Sequence, residues 1–113
     1  MKYRSGEIVL LPFPFSDHSA RKKRPVLVLS QPDARGDFAS LAITSKETHE
    51  KAFALISEHL SDDHLPKPSW IRFDKVYTLN ISLIVGRFGS LRPAIFEIAH
   101  GLFCDHFLCD REE

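Results

Sequence analysis

The run PVLVLS, residues 25–30, limits what this chain can fold into more than any other stretch. It is too short for a helix, continuously apolar after its proline, and bounded by polar segments on both sides. Such a run suits a strand covered on both faces, as in the middle of a small barrel or sandwich. What precedes it is unusual. Lys22, Lys23 and Arg24 lead directly into the proline. A solvated charge run needs no strand behind it, and a buried strand needs no cationic lead-in. The junction therefore predicts a group held in place for use.

Similar short runs recur. EIVLLPF (7–13) reads as a strand ending at prolines, and FASLAITS (38–45) and KAFALIS (51–57) read as strands separated by polar residues. SWIRFDKVYTL (69–79) alternates in part around Ile71, Phe73 and Val76. ISLIVGRFGSL (81–91) is ambiguous, because its two glycines weaken either assignment. PAIFEIAHGLFCDHFL (93–108) predicts a helix, with Ile95, Ile98 and Leu102 beside Phe96, Ala99 and Phe103 as its apolar stripe. Pro93 fits its first turn, and Gly101 inside it costs about 1 kcal/mol. Without repeats, low-complexity tracts or linkers, residues 1–113 make one domain: mainly β with a terminal helix, a small β-barrel.

The net charge of +0 hides segregation. Residues 1–35 carry seven Lys/Arg against three Asp/Glu, and residues 69–94 carry four against one. The intervening residues 36–68 carry three against six, and residues 95–113 one against five. A fold that brings the two basic segments together would have a cationic face. Cys104 and Cys109, five apart on a helix, are expected to be reduced thiols of a cytoplasmic protein. The N-terminal apolar run is broken by Pro12 and Pro14 and lacks a small-residue cleavage site, so it does not read as a signal peptide. No run approaches the ~18 apolar residues of a membrane span.

Arg24 is the first candidate for chemistry. A residue before proline is pushed into an extended conformation, and proline at the start of a strand sacrifices no needed ladder bond. The guanidinium would project from a rigid edge, suited to a phosphate or to structural pairing with a carboxylate. Thr44 and Ser45 end a strand with adjacent hydroxyls that donate to a phosphate oxygen or cap a turn. Of six histidines, His18, beside Asp17 in the loop before the cations, sits where it could join Arg24. His100 and His106 are expected near the solvated side of the helix. No metal-ligand spacing and no phosphate-cradling glycine loop occurs. Arg72, Lys75 and Tyr77 interleave aromatics and cations with Trp70 and Phe73, a mixture that stacks bases or forms a half-buried strand.

Taken in order, GEIVLLPFPFSD, RPVLVLS, AITS, LPKPSWIRFDKVYTL and GRFGSL before a terminal helix resemble the PemK/MazF-type toxins of bacterial toxin–antitoxin pairs. The resemblance spans nearly the whole chain. It implies an SH3-like small β-barrel of the PemK/MazF/CcdB-like kind, a homodimer, and a cognate antitoxin whose tail occupies the RNA groove. It implies metal-independent, sequence-selective cleavage of single-stranded RNA in the cytoplasm, with no cofactor. The family's catalytic arginine and threonine carry over to Arg24 and Thr44. Lys22, Lys23, Ser45, Arg72, Lys75 and Tyr77 are then candidates for RNA contact. Two motifs depart from the pattern. Ser16-Asp17-His18-Ser19 stands where many members carry a Gly-Ser-Glu-Gln-type loop, which leaves Asp17 and His18 as candidates for the general base. Val76-Tyr77-Thr78 stands where many have Ile-Arg-Thr, and either Arg72 or Lys75 supplies that charge or the RNA contacts differ. The competing reading is a non-catalytic small barrel that binds nucleic acid or a protein target.

Overall fold

The computed structural model describes residues 3–12, 23–46, 51–62, 65 and 67–108. Asp17, His18, Lys22 and Cys109 lie outside the described residues. Six strands form one antiparallel sheet: β1 (Glu7–Pro12), β2 (Lys23–Val28), β3 (Asp37–Thr44), β4 (Ala52–Leu55), β5 (Ser69–Asn80) and β6 (Gly86–Ser90). Their order across the sheet is β4-β5-β3-β2-β1-β6. A helix, α1 (Pro93–Leu108), follows the last strand. Single 3-10 turns at Ser57–His59 and Ile81–Leu83 occupy the connections before β5 and β6.

The sheet curls until its two ends approach. Leu60, just after β4, makes an isolated antiparallel bridge with Leu91, just after β6. Ser61 N–H donates to the Ser90 carbonyl at 2.9 Å, and Arg92 N–H to the His59 carbonyl at 2.9 Å. The result is a half-barrel closed at one seam, which is the expected SH3-like architecture. A side-chain clasp reinforces this seam. Arg87 donates from Nε to Glu7 at 3.1 Å and from Nη2 to Asp62 at 2.9 Å and to the Ser90 hydroxyl at 2.8 Å.

The central strands are buried on both faces, as the PVLVLS run requires. Leu27, Leu41 and Ile71 pack on one side beneath Ala99, Ile95, Phe96 and Phe103 of α1. Val9, Val26, Val28 and Phe38 pack on the other with Tyr3, Tyr77, Ile81 and Ile84. At roughly 1.5–3 kcal/mol per fully buried large apolar side chain, these two layers dominate the stability. On α1, Ala99 is fully buried but Ile98 is 47% exposed, so the apolar stripe is narrower than its spacing predicts. His106 is not on the solvated side. It is half-buried, its ring edge-on to Phe73 with centroids 6.1 Å apart. Cys104 carries a free thiol, 3.8 Å from His100 Nδ1.

Two bulges shape the sheet, and both fall where the sequence pattern is irregular. Between β3 and β5, Leu41 pairs with Val76 but Ala42 pairs with Arg72, so residues 73–75 are extra. This explains the incomplete alternation of SWIRFDKVYTL. Between β1 and β6, Ile8 pairs with Gly89 and Val9 with Arg87, leaving Phe88 as the extra residue. The ambiguous stretch 81–91 thus divides into a 3-10 turn and a short bulged strand, and its glycines sit in β6.

Candidate phosphate-binding cleft

Strand β2 begins at Lys23, two residues earlier than PVLVLS suggests, so Lys23 and Arg24 lie within the strand and not in a loop before it. Pro25 is its third residue. The β1–β2 ladder runs through this point to Pro12↔Lys23, whereas the β2–β3 ladder ends at Val26↔Ala42. Proline has no N–H with which to carry a ladder further. β2 and β3 therefore part beyond Val26, and a cleft of about 680 Å³ opens at that end of the sheet.

Arg24, Thr44 and Ser45 all line this cleft. Arg24 lies two residues before Val26 and Thr44 two residues after Ala42, the last residues paired between β2 and β3, so the two flank the point where the strands diverge. Arg24 Nε is buried and, among the described residues, has no hydrogen-bond partner. Burying an unpaired donor of a charged group is unfavourable, which is characteristic of a group awaiting an anion. Thr44 Oγ1 accepts from the Lys46 backbone N–H at 3.1 Å. That bond occupies an oxygen lone pair and leaves the hydroxyl hydrogen to donate into the cleft.

The remaining charge comes from Lys23, Lys46 and Lys67. Among the described residues no aspartate or glutamate lines the cleft, so four cations face it without a neutralising carboxylate. Lys46 and Lys67 were not anticipated. They belong to a segment that is acidic in sum, and only the approach of the β3 and β4–β5 connections to Arg24 recruits them. Lys46 nevertheless had a local signal, lying two residues after Thr44.

The other candidates are placed elsewhere. Arg72, Lys75 and Tyr77 are not among the cleft-lining residues. Arg72 forms a bidentate pair with Asp74, Nε and Nη2 each at 3.0 Å. Partial burial alone would raise the Asp74 carboxyl; the Arg72 hydrogen bond and charge, with its own backbone N–H and the Lys75 charge, together outweigh it and hold the group below its ordinary value. Tyr77 packs in the second core layer, its carbonyl accepting from Ser40 Oγ at 3.0 Å. Lys75 is exposed. The second basic segment is thus largely committed internally: Arg72 to Asp74, Arg87 to Glu7 and Asp62, and Arg92 Nε to the Glu58 carbonyl at 2.8 Å. The cationic face is built from β2 and two loops instead of from the two basic segments. Among the described residues no group of three or more His, Cys, Asp or Glu is placed to hold a metal ion, and no helix is long and apolar enough to cross a membrane.

These features define a class: a small curled antiparallel sheet packed by one C-terminal helix, with a cationic cleft at the sheet's open end. The family of PemK-like, MazF-like toxins of type II toxin–antitoxin systems matches residues 4–106, and the chain belongs to it. Solved structures share the fold. A MazE–MazF complex (form II) from Deinococcus radiodurans superimposes with a TM-score of 0.72 at 15% identity, covering 96% of this chain and 97% of that one. An endoribonuclease in complex with its cognate antitoxin, from a mycobacterial species, gives 0.68 at 16% identity over 98% and 99%. The Mycobacterium tuberculosis toxin MazF-mt6 gives 0.65 at 19% identity over 88% and 93%. No curated protein matches the sequence.

Proposed function

We propose that the protein is a metal-independent endoribonuclease that cuts single-stranded mRNA at short specific sequences in the cytoplasm. In this reading it acts as a homodimer and is held inactive by a cognate antitoxin. The observation that carries the reading is that Arg24 and Thr44 line one cleft that, among the described residues, has no carboxylate in its lining. Family membership, and neighbours solved with their antitoxins, support the same conclusion.

The chemistry is an in-line displacement at phosphorus. The ribose 2′-oxygen forms a bond to phosphorus, the P–O5′ bond breaks, and the products are a 2′,3′-cyclic phosphate and a 5′-hydroxyl. One proton leaves the 2′-OH and one reaches the departing O5′. Arg24, ionised at any working pH, stabilises the added negative charge on the non-bridging oxygens. Thr44 donates its hydroxyl hydrogen to one of those oxygens and fixes the phosphate in line. Asp17 or His18 takes the 2′ proton. Lys22, Lys23 and Ser45 hold the chain on either side; Arg72, Lys75 and Tyr77 contact RNA outside the cleft.

The test is incubation of antitoxin-free protein with a long, weakly structured RNA in EDTA, beside Arg24→Ala and Thr44→Ala. The expected result is discrete cuts with 2′,3′-cyclic phosphate and 5′-hydroxyl ends, lost in both variants. Binding without cuts across RNAs of varied sequence would instead make the protein a binding module.

A further inference from the structure

Half of the cleft has no task in the chemistry above. Besides its cations and hydroxyls it is lined by apolar groups, among them buried Leu55 and half-buried Leu65 and Phe88. Phe88 is the bulge residue of β6, and bulges beside functional sites re-aim a side chain. Leu65 is held by its backbone N–H, which donates to Ser57 Oγ at 2.9 Å. Ser69 is the buried polar side chain of this wall, its hydroxyl donating to the Lys67 carbonyl at 3.3 Å with lone pairs left to accept. A bare phosphate has no use for such a wall. A nucleotide does, because its base presents an apolar face and a hydrogen-bonding edge.

We infer that the cleft seats one unstacked base of the RNA beside the cut. Leu65 and Phe88 pack on its face, Ser69 contacts its edge, and Lys46 and Lys67 hold flanking phosphates. These residues set the sequence preference at that position. A volume of about 680 Å³ falls within the roughly 300–1,000 Å³ usual for ligand sites. The inference rests on the ribonuclease reading and adds the source of its specificity.

The experiment uses full-length protein and an RNA containing a mapped cut site, with a 2′-deoxy nucleotide at the cut to block attack. Each base is replaced in turn by an abasic unit, and Kd is measured for wild type, Leu65→Ala, Phe88→Leu and Ser69→Ala. In wild type, one abasic position beside the cut is expected to weaken binding roughly 10- to 100-fold. In Leu65→Ala and Phe88→Leu the same abasic unit should lose only about 3-fold or less, because the two changes delete one interaction. Ser69→Ala should change base preference at that position alone. Thermal melts establish that the variants fold, and Phe88→Leu keeps an apolar side chain at the bulge. An abasic loss of equal size in wild type and variants overturns the inference while leaving the nuclease reading intact. Variants that alter antitoxin affinity and leave RNA binding untouched also overturn it, assigning the wall to the protein partner. Wild type that neither binds nor cuts RNA overturns both readings.

Discussion

Arg24 and Thr44 line one cleft where β2 and β3 diverge, and among the described residues the arginine's buried Nε has no hydrogen-bond partner. An unpaired buried donor weakens the fold it belongs to. Arg24→Ala is therefore expected to cut the single-turnover rate by roughly 10²- to 10³-fold without lowering Tm. Arg24→Lys should recover little, because a point charge does not reproduce the guanidinium fork. Single-turnover kinetics beside thermal melts check both statements.

Thr44 contributes a donor whose oxygen already accepts from Lys46 N–H. Thr44→Ser retains that hydroxyl and should keep most of the activity. Thr44→Val preserves the shape, removes the hydroxyl, and should lose about 10²-fold in kcat. The contrast between the two is read in kcat at saturating RNA.

Lys46 and Lys67 face the cleft without a carboxylate beside it among the described residues. Replacing both with alanine should weaken RNA binding across sequences and leave single-turnover kcat unchanged. The slope of log K against log salt should shrink by roughly 0.7 for each lost single-strand phosphate contact. Titrations at several salt concentrations measure it.

The seam clasp makes stability depend on acid. The Arg87 hydrogen bond and then the Ser90 N–H hold the Asp62 carboxyl below its ordinary 3.8, and Asp62 in turn raises Arg87. A depressed folded-state pKa contributes stability that is complete above the ordinary value and is lost as pH falls through the lower folded one. Arg87→Ala should therefore be less stable than wild type at pH 7, with the gap narrowing near pH 3. Urea midpoints at the two pH values decide the matter.

Gly36, in the β2–β3 turn, has φ +89°, and a Cβ there would lie 3.0 Å from Ile81 Cγ1. Gly36→Ala should destabilise by about 1–2 kcal/mol from backbone strain alone, with the contact adding to it. Because the turn lies at the opposite end of the hairpin from Arg24, activity per folded molecule should be unchanged. Thermal melts and active-site titration separate the two effects.

Much of this was legible in local pattern. PVLVLS reads as a doubly covered strand because four consecutive apolar residues leave no solvated face, and α1 reads from its apolar spacing and Pro93. Arg72–Asp74 was legible too: residues two apart on a strand share a face, so the arginine proposed for RNA had a carboxylate partner in plain view. The bulges were not legible, since an extra residue is defined by what the neighbouring strand pairs with. Phe88 and Lys67 reach the cleft only through tertiary pairing, and no periodicity of their own segments indicates it.

The strand that completes the sheet, β6, pairs with the one that begins it, and Phe88 belongs to that last strand. A chain growing on the ribosome therefore possesses Arg24 and Thr44 long before it possesses the cleft. The two residues wait, without the wall of the cleft, until residues 86–90 emerge and close against β1. Truncated products of interrupted synthesis would lack the wall and the seam together. The order of the strands thus makes the cleft one of the last features of residues 1–90 to assemble as the chain is made.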